Sequence, residues 1–414
     1  MTIIRPFESY VVKDEHAAVR VTPAYDALTP EERYVFASQH PDNFINVMRS
    51  LDEFTGEERP TLDDLLSSNA LSLKRILESG AYRYKDKPCL YLYRLSVDEH
   101  VQTGVVGEIS IDEYDSGHVK KHEHTRSDHE DQLTRYHEVV GASSSPVCLA
   151  YSQHDAIDHF VNQLVSARPI VDFVTEDGVA QILWCVEDPA AIERLQALFS
   201  EVHTAFLTDG HHRSASGSRY TAKRRATNPN HVGDEAYNFL LVALFPHDQL
   251  RVLSYHRCVK DLNGYEPERL LAAVGHAGFD VERMVNRDHA VPRRRGELSM
   301  WLDHGWYRLI AKPDSVPADD PVRSLDVSIL QERILGPVLG IADSRHDSRL
   351  DYVPGVGGLA GLEARCQTGW RVGFACYPTS LEQLMAVANA DAVMPPKSTW
   401  FDPKARSGLF IRMR

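Results

Sequence analysis

No stretch of this sequence approaches the about 18 consecutive apolar residues that a membrane-spanning helix needs, which argues against a transmembrane protein. The opening residues Met1-Thr2-Ile3-Ile4-Arg5-Pro6-Phe7-Glu8 lack the basic and apolar blocks of a secretion signal, so a cytoplasmic location is the expectation. Cysteine is scarce and scattered: Cys89, Cys148, Cys185, Cys258, Cys366 and Cys376 form no C-x-x-C pair. That argues against a disulfide framework and a structural zinc site on sequence grounds, and predicts that most of these thiols are buried and unreactive. Positive charge is the minority sign, with 45 Lys and Arg against 59 Asp and Glu and a net charge of −14. A nucleic-acid partner, which needs a basic face, is therefore not expected. The basic runs Lys223-Arg224-Arg225 and Arg293-Arg294-Arg295 read as solvated surface, although the first follows a histidine-rich loop and adds positive potential there. A G-x-S-x-G elbow is missing, as are the glycines of a phosphate-binding P-loop and any internal repeat.

What is present is an ordinary globular balance, 43% hydrophobic and 25% charged, in a chain of 414 residues that is long enough for two or three cores. The first sixty residues read as an irregular lead-in. Apolar periodicity predicts a helix over 62–77, and β-rich segments predict strands over 89–97 and 103–111. The polar stretch 112–138 begins as a loop and ends as a helix. Glu176-Asp177-Gly178 is the turn of a hairpin between 171–174 and 180–186, and Asp188-Pro189 starts a helix. After the strand 204–208 comes the histidine loop, then a helix from Ser214. Beyond 237, strands are expected over 239–244, 250–256 and 306–310, with a long amphipathic helix over 325–339 and a capping box at Thr379 and Glu382. Helices and strands intersperse without strict βαβ alternation, so the fold class is α+β: mixed sheets with flanking helices, divided into domains 1–235 and 236–414.

Three segments carry the chemistry. Asp209-Gly210-His211-His212-Arg213 places an acid, a glycine, two imidazoles and a guanidinium at a strand-to-helix turn, where backbone N–H groups attract anions. Arg213 offers a planar fork for two phosphate oxygens. His211 and His212 suit proton transfer or metal ligation, Asp209 suits Mg²⁺, and Gly210 permits close backbone approach. Lys120-Lys121-His122-Glu123-His124-Thr125-Arg126 supplies cations for phosphate, with Glu123 or His122 as proton acceptor. Its histidines are two apart, which is not the spacing of a zinc-protease helix. Met394-Pro395-Pro396-Lys397-Ser398-Thr399-Trp400-Phe401-Asp402-Pro403-Lys404 presents Lys397, Ser398, Thr399 and Lys404 on a proline-stiffened segment. The run Gly355-Val356-Gly357-Gly358-Leu359-Ala360-Gly361 reads as a flexible loop, since a dinucleotide fingerprint needs a preceding strand and a matched acid.

Together these segments resemble the family catalogued as domain of unknown function 1015, over nearly the whole chain. Further anchors are Arg5-Pro6-Phe7, Pro23-Ala24-Tyr25-Asp26, His40-Pro41-Asp42-Asn43-Phe44, Leu90-Tyr91-Leu92-Tyr93-Arg94 and Ser407-Gly408-Leu409. The chain departs from the family at Ala24, where a second proline is usual, and in the glycine-rich run. The Asp-Gly-His-His-Arg motif is also similar to that of ParB-related free-serine kinases, a likeness of a few residues. It implies a ParB-like N-terminal part and a nucleotide-dependent kinase of a small, serine-like hydroxyl compound. ATP or ADP would be the donor, Mg²⁺ the cofactor, and Asp209, His211, His212 and Arg213 the grip on phosphate and metal. Lys121 and Thr125 join the phosphate-binding set, Tyr25, Asp26 and Asn43 the substrate side. The alternatives are a phosphatase of a small phosphoester such as phosphoserine, a non-enzymatic nucleotide-binding regulator, and a zinc hydrolase. A homo-oligomer is compatible with all of them. The kinase expectation assumes that the three segments share one anion pocket.

Overall fold

A computed structural model describes residues 3–56 and 59–414. The chain divides into two compact units: unit 1 is Met1–Lys121, Thr125–Leu250 and Pro403–Arg414, and unit 2 is His122–His124 and Arg251–Asp402.

Unit 1 is built on one mixed sheet. Its strands are β1 (Phe7–Val12), β2 (Tyr82–Val97), β3 (His100–Ser110), β4 (Val119–Lys120), β5 (Ala142–Ser143), β6 (Val147–Tyr151), β7 (Val171–Val174), β8 (Ala180–Val186), β9 (Ala205–Asp209) and β10 (Phe239–Pro246). The spatial order is β4-β9-β6-β10-β3-β2-β1, continued by a strand from the far end of the sequence, residues 410–413, and then β5; β8 pairs with both β2 and β7. The β4–β9 and β6–β10 pairs are parallel and the rest antiparallel. Period-2 alternation loads both faces. Cys89, Tyr91, Tyr93, Leu241, Ala243 and Phe245 join one core, whereas Leu90, Leu92, Leu240, Val242 and Leu244 join the other. Helices cover these faces: α1 (Asp14–Arg20), α2 (Pro30–Gln39), α3 (Leu62–Glu78), α4 (Ile111–Asp115), α5 (Ser127–Val139), α6 (Asp155–Leu164), α7 (Pro189–Phe199) and α8 (His211–Thr227). The lead-in expected to be irregular thus holds β1, α1 and α2. Helix α2 starts at a complete capping box in which the Thr29 side chain accepts from Glu32 N–H and Glu32 accepts from Thr29 N–H.

Unit 2 contains the two-stranded β11 (Val252–Leu253) and β18 (Trp400–Phe401), and a six-stranded sheet of β12 (His256–Val259), β13 (Phe279–Met284), β14 (Glu297–Leu302), β15 (Gly305–Ala311), β16 (Leu350–Val353) and β17 (Val372–Cys376). Its order is β13-β15-β14-β17-β12-β16, and every pair is antiparallel. Helices α9 (Pro267–His276), α10 (Arg287–Ala290), α11 (Asp326–Leu330), α12 (Gly358–Gln367) and α13 (Leu381–Asn389) complete it. The strand at 410–413 (Phe410–Met413), β19, belongs to unit 1 and pairs with β1 and β5.

The α+β class holds: helices intersperse with a mixed sheet in unit 1 and an antiparallel one in unit 2. The expected division at 235 falls instead at Leu250, and 403–414 return to unit 1, because β10 and β19 are both laid into the large sheet. The strand expected over 250–256 is split into β11 and β12. The long helix expected over 325–339 is the short α11 followed by one π-helical turn (Gln331–Leu335), stopped at Gly336-Pro337. The capping box of α13 is Ser380 with Gln383, one residue beyond the expected pair. The glycine run expected to be a flexible loop is a 3-10 turn (Gly355–Gly357) leading into α12.

Candidate functional site

The histidine loop is the link from β9 to α8 in unit 1. Strand β9 runs antiparallel to β6, and a shift in register between Cys148 and Leu149 brings Asp209 opposite Cys148. Such irregularities commonly re-aim a side chain beside a working site. Gly210 then turns the chain at φ 102°, a left-handed conformation that glycine adopts without penalty. A Cβ at this position would also sit 3.0–3.1 Å from the Arg213 guanidinium. Ser214 N–H closes the first α-helical bond, onto Gly210 C=O at 2.9 Å, so the helix begins at His211 and not at the expected Ser214. Gly210 gives no side-chain cap, and the first-turn N–H groups of this 17-residue helix point out of its end.

Asp209 organises the turn. Its Oδ1 accepts from Lys404 Nζ at 2.7 Å and its Oδ2 from the Arg213 guanidinium. Arg213 also donates to Pro146 C=O at 2.6 Å, so its fork is fixed on two sides. Burial alone would raise the Asp209 carboxyl; Lys404 and Arg213, with His211 adding to them, outweigh it and hold the group well below the usual carboxylate range. Two cations against one carboxylate leave the turn with a net positive charge. Burial, followed by the Asp209 charge, pushes the neighbouring Cys148 thiol up to about 12, so it stays protonated and inert. His211 is buried and His212 half-buried. The His212 Nε2 accepts from Arg126 N–H at 3.1 Å, and its ring lies 5.3 Å from that of His129. Thr125 donates to the buried Glu130, which also meets Arg219 at 2.5 Å; nothing in the sequence signalled Glu130 or Pro146 as parts of this surround. Lys121 is exposed, with its ammonium 4.0 Å above the Tyr114 ring.

Other assigned residues have local structural partners. Asn43 is buried; its Nδ2 donates to Val19 and Val21 C=O, both at 2.9 Å, and its Oδ1 accepts from Ile45 N–H at 3.0 Å. That amide clips a loop. The Tyr25 hydroxyl bonds Ser50 Oγ at 2.7 Å and lies 3.3 Å from a Glu53 oxygen, under the Arg33 guanidinium at 4.3 Å. Asp26 is exposed.

In unit 2, His122 C=O accepts from Met394 N–H at 2.8 Å; His122 is buried, Glu123 half-buried and His124 exposed. Lys397 is exposed at φ 54°, its ammonium 5.1 Å from the Tyr255 ring, and Arg257 donates to its carbonyl at 3.2 Å. Ser398 is buried and closes the turn by donating to Pro395 C=O at 2.6 Å, while Thr399 is half-buried. The third segment is shared between the units, since Pro403 and Lys404 belong to unit 1. The basic runs are engaged in ion pairs: Arg225 with Asp112 at 2.8 Å, Lys223 with Glu138, and Arg294 with the buried Glu297 at 3.0 Å. No helix among the described residues is long and apolar enough to cross a membrane.

Several solved structures are similar to this chain at low identity. A free serine kinase in complex with AMP is 12% identical with a TM-score of 0.39, covering 75% of this chain and 91% of its own. SbnI with a C-terminal truncation, from Staphylococcus aureus, is 11% identical with a TM-score of 0.40, over 74% of this chain and 87% of its own. A conserved hypothetical protein from Pyrococcus furiosus is 11% identical with a TM-score of 0.37, over 74% and 95%. No curated protein matches the sequence. A family model, described as a protein of unknown function, matches residues 4–328, short of the Met394–Lys404 segment, and over that span the chain belongs to the DUF1015 family.

Proposed function

We propose that the β9–α8 turn of unit 1 binds the phosphate of a nucleotide, and that the protein transfers a phosphoryl group to a small, serine-like hydroxyl compound. The supporting observation is the pairing of Asp209 with both Lys404 and Arg213 at the start of α8. It leaves fixed positive charge beside outward-pointing helix N–H groups, an arrangement suited to phosphate. Phosphoryl transfer depends mainly on positioning and charge neutralisation, which a rigid guanidinium fork and a helix end provide without moving. Asp209, with both oxygens engaged by cations, acts in this reading as the residue that positions Lys404 and Arg213. That donor arrangement does not fit a resident Mg²⁺, and the reading contains no step through one. The assignments of Lys121, Thr125, Lys397, Ser398 and Thr399 to phosphate, and of Glu123 and His122 to proton transfer, rest on the sequence and form part of the same proposal.

The test is to incubate the purified protein with serine plus ATP or ADP, and separately with phosphoserine alone, following products by ³¹P NMR. Formation of phosphoserine only when nucleotide is present is expected. Phosphate release from phosphoserine alone would replace the kinase with a phosphatase. Calorimetric nucleotide binding without turnover of any acceptor would leave a regulator. Arg213→Lys keeps the charge but loses the planar fork, and should lower turnover about 100-fold if the fork meets developing charge.

A further inference from the structure

Four of the six cysteines, far apart in sequence, lie in two close pairs. In unit 1 the Cys89 and Cys185 sulfurs are 3.2 Å apart, and in unit 2 those of Cys258 and Cys366 are 3.6 Å apart. The first pair lies diagonally across the β2–β8 ladder: Tyr91 is the register partner of Cys185, so Cys89, two residues before Tyr91, points to the same face. The pairs differ in access. Cys258 and Cys366 are both buried, whereas Cys185 is half-buried and its partner Cys89 is buried directly behind it. They differ in electrostatics too. The Cys185 S–H donates to the Cys89 sulfur; that bond holds the Cys89 thiol below its ordinary value, against the effect of burial, and raises the Cys185 thiol, which keeps the shared proton. Lys85, whose ammonium lowers the Cys89 thiol further, is fixed by an ion pair with Glu187.

We propose that Cys89 and Cys185 are a site of reversible oxidation, closed to a disulfide by a peroxide. In the first step Cys185 passes its proton to the Cys89 sulfur that already accepts from it, and the Cys185 thiolate so formed attacks one peroxide oxygen. The O–O bond breaks, Cys185 becomes a sulfenic acid, and the departing hydroxide takes up the proton that Cys89 had released to solvent, leaving as water. The Cys89 sulfur then attacks the Cys185 sulfur; the S–S bond forms, the S–O bond breaks, and the hydroxyl leaves with the Cys89 proton as a second water. Two thiols and one peroxide thus give one disulfide and two waters. Cys89 serves as the resolving thiol because it is already within van der Waals reach. The buried Cys258 and Cys366 pair, with no such access, stays reduced and supplies an internal control.

The experiment treats the folded full chain with hydrogen peroxide at a few equivalents, blocks remaining thiols with N-ethylmaleimide, and maps peptides by mass spectrometry without reduction. The expected result is a linked Cys89–Cys185 peptide, loss of two of the six titratable thiols, and their recovery with dithiothreitol. In Cys89→Ser the reaction should stop at Cys185, which a dimedone adduct would reveal. Six alkylated thiols in the wild-type protein after peroxide would overturn the proposal. So would a Cys258–Cys366 link formed in preference, or a stable Cys185 sulfenic acid while Cys89 is present. The wild-type map decides the question even if the variant folds poorly.

Discussion

Two aspartates, one in each unit, are largely withdrawn from water and titrate in opposite directions. Asp209 in unit 1 faces Lys404 and Arg213, and these cations keep it ionised despite burial. Asp326 in unit 2 is buried at the start of α11; its oxygens accept only from backbone, including Gly296 N–H at 2.9 and 3.1 Å, and burial raises it to about 6. The same side chain is therefore a fixed anion in one place and a group poised near neutrality in the other. Withdrawal from water costs both of them; what differs is the charge brought to meet it. A raised carboxyl pKa is often taken as a mark of function, yet here the raised one is tied to a β-strand turn and the lowered one organises the cationic loop.

That contrast can be broken experimentally. The largest effect should come from Asp209→Ala, which strands two cations in a mostly buried cluster; a loss of ~3 kcal/mol in urea unfolding is expected, and an unchanged midpoint would show that the cluster contributes nothing to stability. Next is Asp326→Asn. Because the folded-state value near 6 exceeds the ordinary 3.8, the folded form binds more protons, so this group's contribution is fully present below about pH 4 and is lost as pH rises through about 6. The asparagine variant should gain ~1–2 kcal/mol at pH 7.5 and show a flatter stability profile between pH 4 and 6. The depressed Asp209 behaves in the opposite sense: its contribution is present above about pH 4 and lost on acidification below it. A profile that rises with pH between 4 and 6 in the wild-type protein and is unchanged by Asp326→Asn would contradict the assignment. The smallest effect is that of Gly210→Ala, about 1 kcal/mol from the left-handed backbone, seen as a lower melting temperature.

Much of the local structure was legible in the sequence because it is dictated locally. Apolar spacing gave α3 within one residue of its end, a turn triplet gave the β7–β8 hairpin, and Asp188-Pro189 marked α7. The strand-to-helix position of the histidine loop was legible for the same reason. Long-range placement was not. Nothing in the local pattern shows that Lys404 reaches Asp209 across 195 positions, or that residues 410–413 pair with β1. The expectation that most thiols are unreactive gave no sign of the Cys89–Cys185 proximity, since these residues are 96 positions apart and no spacing rule links them. The loop-clipping bonds of the Asn43 amide were not legible either, because a buried amide of this kind and a polar residue facing a ligand look identical in one dimension.

The return of residues 403–414 to unit 1 sets an order of events during synthesis. A ribosome makes the whole of Arg251–Asp402 before it makes Lys404 and β19, so a nascent chain holds the large sheet with the outer edge of β1 still open. Over the same interval Asp209 has Arg213 alone as its cation. The cationic turn is therefore finished late in translation, and a chain interrupted before that point carries the motif as a neutral Asp209–Arg213 pair, without the lysine that makes it cationic.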